Sequence, residues 1–192
     1  MLKDYISEIF LASQSPARSE LLRKEGLVVH ACPQDCLELT DKTQPGDVVE
    51  ALSLIKLKSF MNSKDYSDGC TAIACDTLLW FENSLIGKAH NCIEAREQIS
   101  HLAGKTHQVY SGYALYYKGQ IYHGYDYADV TFKPISKEQL DEYVLSNEWK
   151  GAAGSYHLFG KAVDFVKSVS GDVNTVIGLP LKKIEKIVGG EK

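Results

Sequence analysis

The spacing of apolar positions changes along the chain, and the changes mark strands alternating with helices. Ile9 to Ala12 form an apolar run that predicts a short buried strand. Ser15 before Pro16 predicts an N-cap with proline at the first helical position. That helix carries Leu21 and Leu22 and is expected to end near Gly26. Leu27 to Ala31 predicts a second strand, and a polar stretch runs from Pro33 to Gly46. From Asp47 onward, Val48, Leu52, Ile55 and, more loosely, Ser59 and Phe60 share one helical stripe. Asn62 to Gly69 reads as loop, and Thr71 to Cys75 as a short apolar strand. Leu78 to Phe81, with Leu85 and Ile86, predicts a hairpin turning near Asn83 and Ser84.

Asn91 and Glu94 have capping-box spacing before a helix that would bury Ile93, Ile99 and Leu102 and stop at Gly104. Gln108 to Pro134 is strand-rich, its tyrosines suit half-exposed pleated surfaces, and Lys118 with Gly119 predicts its hairpin turn. Ser136 and Gln139 open a helix expected to reach Ser146. Gly151 to Gly160 reads as irregular and Ala162 to Val169 as extended. Pro180 starts a last short helix ending at Gly189. This alternation predicts an α/β class, with no internal repeat or long linker, and a single domain over residues 1–192, at most with a small lobe.

Composition narrows the classes. The hydrophobic fraction of 44% and charged fraction of 24% are ordinary for a globular protein. A net charge of -4 gives no global basic field, so a nucleic-acid partner is not expected and any anion site must be local. The N-terminus lacks the apolar core of a signal peptide, and no apolar run reaches the ~18 residues of a membrane span. A cytoplasmic protein without a membrane partner is therefore expected. The 5 cysteines are scattered and odd in number, which argues against a disulfide framework. Cys32 and Cys36 have no second pair to complete a zinc site, and the histidines lack H-x-x-x-H spacing. Dinucleotide-binding, P-loop and nucleophile-elbow motifs are absent.

Several constellations bear candidate chemistry. In FLASQSPARSELL a strand runs through a tight polar loop into a helix start, where unsatisfied N–H groups and the dipole favour an anion. Ser13 and Ser15 add hydroxyls, and Arg18 adds a planar cation in a turn where acidic residues are usual. Ser15 as a plain cap with Arg18 a solvated charge is the simpler alternative. Asp76 follows the strand TAIAC, and the carboxyl ends of strands are where open α/β sheets bind ligands. A turn-forming aspartate is its alternative. Lys56 lies near the apolar edge of its helix, and Lys88 follows Gly87; lone surface lysines are the common alternative. Glu38, in the polar segment, suits a hard cation such as Mg²⁺ or a solvated loop equally. The glycines and alanines of EWKGAAGSYHLFGKAVDFV would let backbone approach a ligand closely.

Together these pieces resemble the Maf family. LASQSPARSELL is similar to its opening signature LAS-x-SPRR-x-ELL. Glu38 with Asp35, the element Leu52 to Lys56, ACDT, IGKA, HLAGKTHQVYSGYAL, DVTFKPIS, WKGAAGSY and TVIGLPL follow in the family's order, over roughly residues 9 to 188. The resemblance implies an elongated two-lobed mixed sheet with flanking helices around a central cleft, often dimeric. It implies a metal-dependent pyrophosphatase converting nucleoside triphosphates, including modified ones, to monophosphate and pyrophosphate. Asp76 then corresponds to the catalytic aspartate and, with Glu38, to the holder of Mg²⁺ or Mn²⁺. Ser13, Arg18, Lys56 and Lys88 correspond to binders of the triphosphate. Ala17, Thr77 and Phe159 stand where the pyrimidine-triphosphate subfamily chooses its base with arginine, threonine and glutamine, and only Thr77 is retained. The 7-methyl-GTP subfamily, with tryptophan and glutamate at the first and third of these positions, is not matched either. Ala89 also replaces the proline of the GKP element. An altered or relaxed base choice is expected, because Phe159 can stack on a base but cannot make the hydrogen bonds that reject wrong bases most sharply. The alternative is a nucleotide-binding sensor with little turnover.

Overall fold

The computed structural model describes residues 1–190. Seven strands form one open mixed sheet: β1 (Glu8–Leu11), β2 (Val28–Ala31), β3 (Ala72–Phe81), β4 (Ser84–Ile86), β5 (Thr106–Tyr117), β6 (Gln120–Phe132) and β7 (Val166–Ser170). Their order is β2-β1-β3-β5-β6-β7, with β4 beside β3. Six α-helices flank them: α1 (Pro16–Lys24), α2 (Pro45–Met61), α3 (Cys92–Leu102), α4 (Lys137–Ser146), α5 (Val173–Ile177) and α6 (Leu181–Gly189). The α/β class expected from the alternation is observed, with the mixed sheet that the resemblance implies. The chain forms two compact units. One comprises residues 1–76, 111–126 and the stretch from Gly178; the other comprises residues 77–110 and 127–177.

In the first unit β1 pairs parallel with both β2 and β3. Helices cover both faces of this part of the sheet, so its strands alternate between two cores instead of between core and water. Ile9, Leu11, Ile73, Cys75, Tyr113, Leu115 and Tyr117 face one core, with Leu22 of α1 and Leu181, Ile184 and Val188 of α6. Ala12, Ala72, Ala74 and Ala114 face the other, against Leu57 and Phe60 of α2. The α2 face is lined with small residues because the helix lies close to it. A Cβ built on Gly112 would sit 2.2 Å from the Val49 carbonyl oxygen. A backbone atom cannot turn aside as a side chain can. Gly112→Ala is therefore expected to lower unfolding free energy by about 3 kcal/mol, read by urea denaturation.

The buried stripe of α2 is Val48, Val49, Ser53, Leu57 and Phe60. The predicted Leu52 and Ile55 are only partly buried. Ser53 is the reason the stripe is displaced: its hydroxyl donates to the Val49 carbonyl at 2.7 Å. So satisfied, a serine takes a core position that a polar reading assigns to solvent.

The second unit packs Leu79 and Phe81 of β3 with Ala95, Ile99 and Leu102 of α3 and Leu140, Tyr143 and Val144 of α4. Asn91 accepts from the N–H groups of Ile93 and Glu94, and the Glu94 carboxylate accepts from the His90 N–H. The Ser136–Gln139 capping box forms as predicted. Ile93 is 66% exposed; at 100° per residue it lies on the face opposite Ala95, so the predicted burial fails. Ala162 is not in a strand: Gly160–Phe165 is a 3₁₀ helix, and β7 starts at Val166. Ala162 and Phe165, three residues apart and both buried, fill the core with one 3₁₀ turn. The hairpin turns are Glu82–Asn83 and Lys118–Gly119, each with two positive φ angles. Two-residue turns of that kind follow the twist of their strands. Tyr113 and Tyr117 are buried where half-exposure was expected.

His107 is a buried group in this core. It meets the Tyr156 hydroxyl at 2.7 Å through Nε2, and its Nδ1 has no hydrogen-bond partner. Burial pulls its pKa down to about 4. The unfolded chain takes up this proton below about pH 6.5 and the folded chain does not. Stability is therefore full above about pH 6.5 and falls as the pH drops toward 4, by about 3 kcal/mol from this residue. Urea unfolding across that range is expected to show this slope, and His107→Leu is expected to flatten it.

Candidate active site

The first unit gathers three of the predicted residues into one cluster. The Lys56 ammonium lies 2.5 Å from Asp76 Oδ1 and 3.0 Å from Glu38 Oε2. The Lys56 and Asp76 side chains are only 15% and 14% exposed, and Glu38 is 41% exposed. Burial works against the Lys56 charge, but attraction to Asp76 and hydrogen bonds to Asp76 and Glu38 outweigh it and raise the lysine pKa above its ordinary value. Lys56 is thus held as a cation between two carboxylates.

Local structure explains the meeting. Asp76 does not end its strand, as the sequence suggested; β3 continues to Phe81. The predicted strand Thr71–Cys75 and the first strand of the predicted hairpin are one element, and a polar residue inside it hides the continuity. The parallel pairing with β1 does end at Ile73. Asp76 thus lies just past the paired carboxyl end, near the segments that leave β1 and β2. The segment after β2 is held along α2 by two contacts. Ser59 donates to Gln34 Oε1 at 3.0 Å, and Lys56 meets Glu38. Gln34 also donates to the Cys32 carbonyl at 2.8 Å. This positioning role of Gln34 had no sequence signal, because a glutamine in a polar segment is unremarked.

The loop after β1 forms the second cluster. Ser15 caps α1 by accepting from the Arg18 N–H, and the Ser13 hydroxyl accepts from the Ser15 N–H at 3.2 Å. The Arg18 guanidinium reaches Ser13 Oγ at 3.0 Å, the Cys75 carbonyl at 2.9 Å and the Gly178 carbonyl at 2.8 Å. It ties the loop to β3 one residue before Asp76, and to the chain entering α6. Ser13 accepts two bonds and keeps its own proton to donate. Burial pushes the Cys75 thiol up to about 11, so it is an inert neighbour of Asp76. Ala17 is half-buried on α1.

The remaining predicted residues belong to the second unit. Thr77 follows Asp76 on β3. Lys88 is exposed, and its backbone bridges to Ala153, with the Gly154 N–H donating to the Gly87 carbonyl at 3.0 Å. Phe159 stands 47% exposed before the 3₁₀ helix, its ring stacked on His157. Among the described residues no three His, Cys, Asp or Glu side chains gather as a metal cluster, and no helix is long and apolar enough to cross a membrane.

Comparison with known proteins agrees with the ordered motifs. The family model for Maf-like protein matches residues 8–190. A dTTP/UTP pyrophosphatase of Bacillus thuringiensis subsp. konkukian is 36% identical over 179 residues, covering 92% of this chain and 92% of the relative. Proteins of the same name from Bacillus anthracis and Bacillus cereus (strain ATCC 10987 / NRS 248) are 35% and 34% identical, covering 92% and 93% of this chain and 92% and 87% of theirs. A Vibrio cholerae protein of known structure aligns with 97% of this chain and 98% of its own, at a TM-score of 0.46 and 12% identity. That likeness is too loose to support an argument. With its strand–loop–helix opening, its Asp76 cluster and these relatives, the chain belongs to the Maf-like protein family.

Proposed function

We infer that this chain is a nucleoside-triphosphate pyrophosphatase, a hydrolase that converts a nucleoside triphosphate and water to the monophosphate and pyrophosphate. The relatives' shared activity supports the reaction class. The observation that carries the reading onto this chain is the convergence of Asp76 and Glu38 on Lys56 beside the Arg18-tied loop.

Water adds to a phosphorus atom while the anhydride bond to the leaving pyrophosphate breaks. The protein has little covalent work in such a step; it positions groups and offsets charge. Asp76, held by Lys56, orients the attacking water and accepts its proton. Lys56 offsets the negative charge that grows on the leaving pyrophosphate, and the Ser13 hydroxyl donates to a phosphate oxygen. Arg18 keeps the Ser13 loop in register with Cys75 and therefore with Asp76.

The carboxylates of Glu38 and Asp76 fit a divalent metal ion such as Mg²⁺ or Mn²⁺: both are hard oxygen donors directed at one cationic group. Mg²⁺ is commonly held by one or two protein carboxylates, which Glu38 and Asp76 would supply. Such an ion supplies Lewis-acid polarisation of a phosphate oxygen when bound.

Base choice is expected to be broader than the relatives' dTTP/UTP names state, because Ala17 and Phe159 offer no hydrogen bonds to a base edge. A pyrophosphate-release screen over standard and modified triphosphates, with Mg²⁺ or Mn²⁺, tests the whole reading. Pyrophosphate as product is expected. Orthophosphate as product would overturn it, and so would nucleotide-dependent stabilisation without turnover, which would identify a sensor.

A further inference from the structure

The segment that carries Glu38 is set in register away from its carboxylate. Residues 32–43 form no helix, strand or turn. Cys32, Gln34 and Cys36 are half-buried while Pro33, Asp35 and Leu37 are exposed, the alternation of an extended chain with one side turned inward. Glu38 falls on the same phase as Gln34. A slip of one residue would therefore turn its carboxylate away from Lys56.

A chain of hydrogen bonds fixes this phase. The Cys32 N–H donates to the Leu11 carbonyl at 2.9 Å, which ties the start of the segment to β1. Gln34 uses both ends of its amide: Nε2 donates to the Cys32 carbonyl at 2.8 Å, and Oε1 accepts from the Ser59 hydroxyl at 3.0 Å. Ser59 lies three residues after Lys56 on α2, so the two share a face of the helix, about 4.5 Å apart along its axis. The helix thus offers successive anchors, Ser59 for Gln34 and Lys56 for Glu38. If Glu38 shares its carboxylate with a metal ion, the Lys56 contact changes. The Ser59–Gln34 contact involves neither group and can stay closed.

We propose that Gln34 and Ser59 are positioning residues for the divalent-metal site of Glu38 and Asp76. Their hydrogen bond keeps Glu38 facing Lys56 and Asp76 and so sets how tightly the ion is held, though neither residue touches it. This rests on the metal-dependent reading of the site and adds what tunes it. Removing a group that orients a ligating side chain typically costs about 10- to 100-fold in metal affinity.

The test titrates the nucleotide-free chain with Mn²⁺, reads bound ion from the loss of the free-Mn²⁺ electron paramagnetic resonance signal, and measures pyrophosphate release beside it. Gln34→Met keeps the length of the side chain but neither hydrogen bond. It and Ser59→Ala are each expected to raise the Mn²⁺ Kd about tenfold. The double variant is expected to be no worse than either single one, because both act through one contact. Ser59→Thr retains the hydroxyl and is expected to restore binding. Melting temperatures are expected to stay within about 4 °C, the weight of one hydrogen bond. An unchanged Kd in Gln34→Met and Ser59→Ala would overturn the clasp. Multiplied losses in the double variant would overturn it too, since the residues would then act separately, as would a loss in Ser59→Ala that Ser59→Thr does not restore. No Mn²⁺ binding by the unaltered chain, or binding unchanged in Glu38→Gln, would overturn the metal site and the clasp with it. Clasp-dependent Mn²⁺ binding without pyrophosphate release would support the clasp and overturn the enzymatic reading instead.

Discussion

Asp76→Asn is expected to lower pyrophosphate release by about a thousandfold, within the range of a lost general base. The fold is expected to survive the change. Asparagine keeps a carbonyl oxygen where Asp76 Oδ1 accepts from Lys56, and Glu38 remains as the second anionic partner of that ammonium. Removing one partner from a wholly buried ion pair costs about 3–5 kcal/mol because the other charge is stranded. Lys56 is not stranded, so thermal unfolding is expected to move by less than about 2 kcal/mol. The contrast between lost turnover and retained stability is the diagnostic. It is read by steady-state pyrophosphate release beside a melting curve. Full activity in this variant would remove Asp76 from the chemistry; joint loss of folding and activity would make it a structural residue.

What was legible in the sequence divides along a physical line. Features decided within a few residues came through: the Ser15 cap with Pro16, the Asn91 cap (though Glu94 accepts from the His90 N–H and leaves the expected box incomplete), the capping box at Ser136, and the positive-φ turn at Lys118 and Gly119. Each is a local hydrogen bond or a local steric preference, so the residue types announce it. Features decided by tertiary neighbours did not. Ser53 joins the core because α2 crosses a face of small residues, and nothing adjacent to it in sequence says so. Asp76 interrupts an apolar run yet stays within β3, since β-structure is set by pairing with neighbouring strands more than by any one residue.

The site shows the same division. Glu38, Lys56 and Asp76 were each singled out separately, and the structure brings them onto one ammonium. Gln34, which holds the Glu38 segment to Ser59, was missed. The stacking of His157 beneath Phe159 was missed too, for a ring contact two residues apart depends on a backbone course that glycine-rich spacing does not disclose.

Arg18 is where the structure most sharpens the sequence reading, and Arg18→Lys is the substitution that exposes the difference. Read from the sequence, Arg18 is a phosphate-binding charge, and lysine would largely preserve that. In the structure its guanidinium spans Ser13 Oγ and the carbonyls of Cys75 and Gly178. Two of those acceptors are backbone oxygens, which carry no residue identity and therefore leave no trace in a motif. A lysine ammonium is compact and cannot reproduce the planar fork that meets all three. Arg18→Lys is expected to lose about two of the three charge-assisted hydrogen bonds, about 3 kcal/mol of unfolding free energy in urea. Turnover is expected to fall about a hundredfold with it, because the Ser13 loop loses its register with the strand that carries Asp76, and small misplacements are costly in a positioned reaction. Arg18→Ala should then be only slightly worse than Arg18→Lys in both measurements. If lysine instead keeps most of the turnover and stability while alanine does not, charge at this position outweighs the three-way tie, and Arg18 returns to being a phosphate ligand first.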